Sequence, residues 1–164
     1  MNTYINKNFH RIVLDKVEIR NSQFDDCDFR GGRFIRCSFN NAVYKSCTLP
    51  TSVFKNSIIN KSIFSDIILT GALFENTIFI KTEISNAHSP ASKFINCTFV
   101  NCNLNNCNFY KSIFENCIFI NTILDSSLSD IVFTNCINDN KADGDLISFE
   151  VWDGKSNFPP LDKM

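Results

Sequence analysis

A large apolar side chain recurs at every fifth position along most of this 164-residue chain. From Tyr4 to Leu124 the series has 25 positions, and all of them except Ser89 hold a large apolar residue. An α-helix would spread such residues over all its sides, because its period is 3.6 residues. A simple strand would expose every second one, because its period is two. The series therefore predicts a coil that turns a corner every five residues, and we call its positions centres.

Two other positions in each five-residue unit are also restricted. The residue two places before the centre is mostly small, and seven of the eight cysteines lie there: Cys27, Cys37, Cys47, Cys97, Cys102, Cys107 and Cys117. A free cysteine behaves as a small buried apolar residue, so we interpret these thiols as core filler. The residue two places after the centre is Asn in 11 of the 25 units, and Asn tolerates the positive φ that turns demand.

These units resemble the pentapeptide-repeat family, whose motif is small–x–(Leu/Phe)–x–x. Matching units include CDFRG, CSFNN, SVFKN, ALFEN, CTFVN, CNFYK and CIFIN. The resemblance covers about residues 2–138 and implies an all-β fold, a right-handed quadrilateral parallel β-helix with four units per coil and about six to seven coils. Centres and small residues would point inward, and the other three residues of each unit would point outward.

The sequence predicts two parts, a β-helix over residues 1–138 and a capping segment and tail over residues 139–164. Near residues 125–128 the frame slips, with Leu128 and Phe133 as new centres and Cys136 in the new frame. In the tail, LISFEVW is typical of a strand or a short cap, and PPLDKM of a loose end. The start lacks the apolar core of a signal peptide, and no apolar run is long enough to span a membrane. We therefore expect a cytoplasmic protein with reduced thiols.

The residues that could support chemistry are too dispersed for a catalytic or metal site. Zinc needs about four converging ligands, whereas a five-residue step puts Cys97, Cys102 and Cys107 on successive sides of the coil. Disulfides between cysteines one coil apart are possible by distance, but the expected compartment disfavours them. His10 and His88 would lie on one side about four coils apart. We expect no catalytic residue, no metal and no cofactor, hence no enzyme.

Two smaller features leave alternatives open. The acidic run DDCD, with Asp25, Asp26 and Asp28, fits a solvated surface better than a metal or acid–base site. Ser89, which is followed by Pro90, marks either a tolerated kink or a bulge shaped for a partner.

The outward residues suggest a protein partner. An apolar strip would occupy one side on four successive coils: Ile58, Ile78, Ile80, Val100, Ile118 and Ile120. The neighbouring side adds Val53, Leu73, Ile95 and Ile113. β-branched residues also simply suit strands, which is the plainer reading. Otherwise the strip is a homodimer interface or a docking face for another protein, since a contiguous apolar patch of this kind often marks an interaction surface.

The resemblance also implies a second function. Some members protect type II topoisomerases, above all DNA gyrase, from quinolones or peptide toxins by resembling an acidic DNA duplex. Residues 1–138 carry 11 acidic and 13 basic residues here, so the expected rod is not acidic. Gyrase binding with quinolone or toxin resistance is therefore the alternative to a docking scaffold. Neither the overall charge of −1 nor any segment predicts direct binding to nucleic acid or a membrane.

Overall fold

The computed structural model describes residues 1–127, 130–139 and 150–152, and this part of the chain contains strands and turns but no helix. Accordingly, no helix in it could cross a membrane. The strands in chain order are β1 (Asn2–Ile5), β2 (Val13–Asp15), β3 (Glu18–Arg20), β4 (Ser22–Asp25), β5 (Arg33–Ile35), β6 (Ser38–Asn40), β7 (Val43–Lys45), β8 (Val53–Lys55), β9 (Ile58–Asn60), β10 (Ile63–Ser65), β11 (Leu73–Glu75), β12 (Ile78–Ile80), β13 (Glu83–Ser85), β14 (Lys93–Ile95), β15 (Thr98–Val100), β16 (Asn103–Asn108), β17 (Ile113–Glu115), β18 (Ile118–Ile120), β19 (Ile123–Ser127), β20 (Val132–Thr134), β21 (Cys136–Asp139) and β22 (Glu150–Trp152).

Three parallel sheets form three sides of the coil. Sheet A has the order β1-β4-β7-β10-β13-β16-β19, and sheet B has the order β2-β5-β8-β11-β14-β17-β20. Sheet C has the order β3-β6-β9-β12-β15-β18-β21, with β22 added to β21 as an antiparallel edge strand. On the fourth side, parallel bridges join Asn8, Asp28, Thr48, Ile68, His88 and Asn108 in one row. The predicted all-β, four-sided parallel β-helix is confirmed.

The centres fill the interior as stacked rows. In sheet B the rings of Phe34, Phe54, Phe74, Phe94, Phe114 and Phe133 stack coil upon coil, with successive centroids 4.6, 4.7, 4.8, 4.5 and 4.9 Å apart. These rings are almost completely buried. Burying each such side chain contributes roughly 1.5–3 kcal/mol. Since each coil contacts only its neighbours, the stability of the β-helix is approximately a sum over adjacent coils.

Each corner depends on one residue in the left-handed region of backbone space. Asn56, Asn76 and Asn96 have φ values of 53°, 50° and 53°, as the sequence predicts for residues two places after a centre. Asn side chains tolerate this region better than most. The same conformation recurs at every corner from Asn6 to Asn121, so the sides of successive coils stay aligned.

The spacing between paired strands shortens by one residue near the end of the β-helix. Asn105 pairs with Asp125, 20 residues later, but Asn108 pairs with Ser127, 19 residues later. The 19-residue spacing then persists, because Phe114 pairs with Phe133. The position of Leu128 lies outside the described residues.

The chain leaves the β-helix through sheet C. Strand β21 pairs in parallel with β18, and β22 then pairs antiparallel with β21. Glu150–Trp152 thus forms a strand within the LISFEVW segment, whereas PPLDKM lies outside the described residues.

Candidate docking surface

Every strand of sheet C presents its first and third residues outward and its central residue inward. On β12, for example, Phe79 is buried in the core, while Ile78 is 39% exposed on the outer surface. The corner residues before and after each strand hold this orientation from coil to coil. Sheet C therefore has two outward rows of side chains that run along the long axis of the molecule.

The apolar strip predicted from the sequence lies on these two rows. One row joins Ile58, Ile78, Thr98 and Ile118 in register, and the other joins Ile80, Val100 and Ile120. Ile58 is 44% exposed, and the other members are exposed or half-buried. The first row continues onto the last parallel strand, because Ile118 pairs with Ile137. The structure thus brings all six predicted residues together on one surface.

Polar residues border the strip at both corners. At one corner Asn56, Asn76, Asn96 and Asn116 form a ladder, in which each side-chain amide donates to the side-chain oxygen one coil earlier at 3.0–3.1 Å. At the other corner stand the exposed side chains of Lys61 and Lys81. Sequence reasoning recognised the Asn residues as turn formers but missed the ladder, because it arises only when corners stack at a spacing of 20 residues.

The apolar residues of the neighbouring sheet B do not form a second strip. Leu73 pairs with Lys93, and Ile95 pairs with Glu75 and Glu115, so charged side chains interrupt both outward rows. Lys55 adds an ion pair with Glu75 at 2.9 Å. Within the described residues, the contiguous apolar surface is therefore that of sheet C.

The cysteines lie in the core and are unsuited to catalysis. All eight are buried thiols, and the Sγ of Cys97 and of Cys117 donates to the backbone oxygen of Phe74 and of Phe94 at 3.4 and 3.3 Å, respectively. Burial raises the pKa of Cys47 to about 12 and also raises the pKa of Cys102. Among the described residues, no group of three or more His, Cys, Asp or Glu could hold a metal ion.

The other titratable residues that the sequence singled out are also separate. His10 and His88 are exposed on the bridged side, at opposite ends of the coil series. Asp25 accepts a hydrogen bond from Gln23 at 2.8 Å. Asp28 forms an ion pair with Arg30 at 2.6 Å, and its pKa is lowered to about 2, mainly by the hydrogen bond from this guanidinium. The DDCD run thus forms surface contacts rather than a converging acidic site.

Ser89 keeps its inward position instead of forming a kink or a bulge. Its backbone NH donates to Asn108 at 2.8 Å, so the ladder of the bridged side continues through it. Its hydroxyl lies 2.9 Å from that of Ser92, and Ser89 is fully buried. Both alternatives from the sequence are therefore wrong, because the partner hydroxyl satisfies the polar group inside the core.

Ion pairs neutralise much of the charge on the first coils. Besides Asp28 and Arg30, Arg36 binds Asp15 and Arg20 binds Glu18, with all these side chains at least partly exposed. Acidic and basic groups alternate here, so no continuous acidic stripe forms on these coils.

Comparisons with known proteins agree with this architecture. The family model described as pentapeptide repeats matches residues 91–125 with eight copies. The comparison with curated proteins gives no match.

Several solved structures of the same architecture are similar to this chain at low sequence identity. HetL, a pentapeptide repeat protein involved in heterocyst differentiation regulation from the cyanobacterium Nostoc sp. strain PCC 7120, is 12% identical, with a TM-score of 0.42 over 81% of this chain and 75% of that chain. Rfr23 from the cyanobacterium Cyanothece 51142 is 7% identical, with a TM-score of 0.38 over 80% and 91% of the two chains.

A third solved structure is trypsin-treated QnrB1, a plasmid-mediated fluoroquinolone resistance protein. It is 18% identical, with a TM-score of 0.35 over 88% of this chain and 83% of that chain. None of these likenesses is close enough to transfer a function. The matched repeats share their five-residue period with the coils on either side of them, and the chain belongs to the pentapeptide-repeat proteins.

Proposed function

We propose that this protein is a non-catalytic scaffold that binds a protein partner through the apolar strip of sheet C. The observation that carries the proposal is the register of the strip. Ile58, Ile78 and Ile118 share one outward row, and Ile80, Val100 and Ile120 share the other. A flat apolar surface with polar borders is typical of protein interaction sites.

The absence of catalysis is part of the proposal and has its own support. Burial and raised pKa values keep thiols such as Cys47 and Cys102 from acting as nucleophiles at neutral pH. His10 and His88 are too far apart to cooperate. We also propose a cytoplasmic location, which eight cysteines present as thiols support.

Gyrase binding by DNA mimicry is the alternative, and it has less support from the surface. A duplex mimic needs a continuous acidic face to complement a basic groove. Here Asp15, Glu18 and Asp28 are each paired with an arginine. We therefore favour docking through the strip and include gyrase as a scored outcome of the test.

Affinity capture with paired variants tests the proposal. The Ile78→Lys/Ile118→Lys double variant places two charges in the strip. Its matched control is Ile63→Lys/Ile123→Lys, because Ile63 and Ile123 are 39% and 49% exposed on sheet A. Circular dichroism should show the same fold for all three proteins, since each changed side chain points outward.

Proteins from an extract of the source organism should be retained by the wild type and by the sheet A control but lost with the sheet C variant. Gyrase subunits are quantified in each eluate. Equal retention by both double variants, or no specific retention by the wild type, would contradict the proposal. Retention of gyrase by both variants would favour the alternative.

A further inference from the structure

We infer that, in the free protein, the apolar strip is covered by the chain's own C-terminal segment, residues 153–164. The partner of the proposed function would then have to displace this segment. The inference rests on the proposed function for its surface, and four features support it: where the chain leaves the β-helix, how far the segment reaches, its apolar residues, and the small size of the strip.

The chain leaves the β-helix beside the strip. Strand β22 lies next to β21, and β21 lies next to β18, which carries Ile118 and Ile120. Strands in a sheet are about 4.8 Å apart, so β22 is about 10 Å from this end of the strip. The segment starts directly after Trp152, at the edge of the same sheet.

The segment is long enough to cover the strip. Residues 153–157 can span about 17 Å when extended, at 3.3–3.6 Å per residue. This length takes Phe158 past β18 to the level of Val100 or beyond. The remaining residues, FPPLDKM, can then lie along the strip toward Ile80.

The apolar residues of the segment match the spacing of the coils. Pro159 and Pro160 favour the polyproline II conformation, which repeats every three residues and places Phe158 and Leu161 on one side. Their separation would be about 9.3 Å, at 3.1 Å per residue. Two coil spacings are about 9.6 Å. Phe158 and Leu161 can therefore contact side chains two coils apart, such as Ile120 and Ile80.

The size of the strip favours a tethered segment over a second copy. Four strands about 4.8 Å apart and three residues about 3.3 Å apart give the strip a footprint of roughly 200 Å². Two strips face to face would bury roughly 400 Å², far below the 1,200 Å² or more of a stable interface. A tethered segment needs less area, because its effective concentration is in the millimolar range.

Paramagnetic relaxation enhancement on the full-length protein tests this inference. The native thiols are buried, so a nitroxide can be attached selectively through Lys163→Cys, which leaves Phe158 and Leu161 intact. Signals of Val100, Ile118 and Ile120 should lose most of their intensity, whereas those of Val43 and Ile63 on sheet A should keep theirs. In the control, Phe158→Ser/Leu161→Ser in the same labelled protein should restore the lost signals.

Mixed samples separate the segment from a second copy. Isotope-labelled protein without nitroxide is combined with unlabelled protein that carries it. Broadening that appears in this mixture would show that the segment of another copy covers the strip, and it would overturn the inference. Equal broadening of sheets A and C in the singly labelled protein would overturn it too.

Failure of the inference differs from failure of the proposed function. If the segment does not cover the strip, the capture experiment can still show a partner that is lost with Ile78→Lys/Ile118→Lys. If the segment covers the strip but no partner is captured, the proposed function fails and the inference stands. When both hold, Phe158→Ser/Leu161→Ser should increase the amount of captured partner several-fold.

Discussion

The ring of Tyr44 lies parallel to the ring of Phe64 in the core, with centroids 4.9 Å apart and 2° between the planes. Its hydroxyl is buried and has no hydrogen-bond partner within the described part of the chain. Leaving a buried polar group unsatisfied costs about 1–3 kcal/mol. Tyr44→Phe keeps the stacking and removes this cost, so it should raise the free energy of unfolding by at least about 1 kcal/mol.

Denaturant unfolding of Tyr44→Phe and wild type measures this gain. Tyr4→Phe is the matched control, because Tyr4 belongs to the same stack but is 36% exposed and can bind water. The control should leave the unfolding midpoint almost unchanged. A lower midpoint for Tyr44→Phe would mean that the hydroxyl is satisfied.

Phe54 should be among the most sensitive core positions. It is fully buried, and its ring stacks between Phe34 and Phe74. Phe54→Ala leaves a cavity that adjacent coils cannot close, so we expect a loss of roughly 3–5 kcal/mol and poor soluble expression. Val53→Thr, on the outer side of the same strand, should cost much less. Similar losses for both variants in urea unfolding would argue against the stacked core.

Gly71 and Ala91 occupy equivalent corners one coil apart, with φ values of 65° and 56°. Ala pays a steric cost in this region that Gly avoids, and the greater freedom of Gly in the unfolded chain offsets part of it. A Cβ at Gly71 would meet only Thr51 at 3.8 Å, an ordinary contact. Gly71→Ala should therefore destabilise the protein by about 1 kcal/mol, and Ala91→Gly should stabilise it by about as much. Thermal unfolding of both variants checks the opposite signs.

The Asp28–Arg30 pair should make a small, pH-dependent contribution to stability. Because the pKa of Asp28 is lowered from 3.8 to about 2 in the folded protein, the contribution is present above the unfolded value and is lost as pH falls through about 2. The Arg30 side chain is 59% exposed, which limits the contribution to about 1 kcal/mol.

Unfolding free energies of wild type and Asp28→Asn should differ near neutral pH and converge near pH 2. Arg30→Gln should produce the same loss near neutral pH, and the double variant should lose little more. Additive losses would show that the two side chains act independently.

The buried thiols should resist modification in the folded protein. Burial raises the pKa of Cys47 to about 12, so the reactive thiolate is scarce at mildly alkaline pH. An aromatic disulfide reagent should react very slowly with native protein and with all eight thiols in denaturant. Rapid reaction of several thiols under native conditions would contradict the core assignment.

The sequence predicted the fold in detail because one residue in five is constrained by the interior. Phe54 and Phe99 are buried as their positions in the series require, and Asn76 turns a corner with positive φ. The outward position of Ile78 followed from the same count. By contrast, the orphaned hydroxyl of Tyr44 and the Ser89–Ser92 contact depend on packing within a coil, which a linear pattern does not encode.

The spacing of 20 residues between paired strands also governs how such a molecule can change during evolution. Inserting or deleting five residues would rotate every later unit by a quarter turn and split the rows of sheet C between two sides. Duplication of a complete coil, for instance residues 81–100, would instead lengthen each row by one rung and preserve every corner. Natural variation in length should therefore accumulate as whole coils, and an extra coil inserted within the strip would enlarge the apolar area without any new kind of side chain.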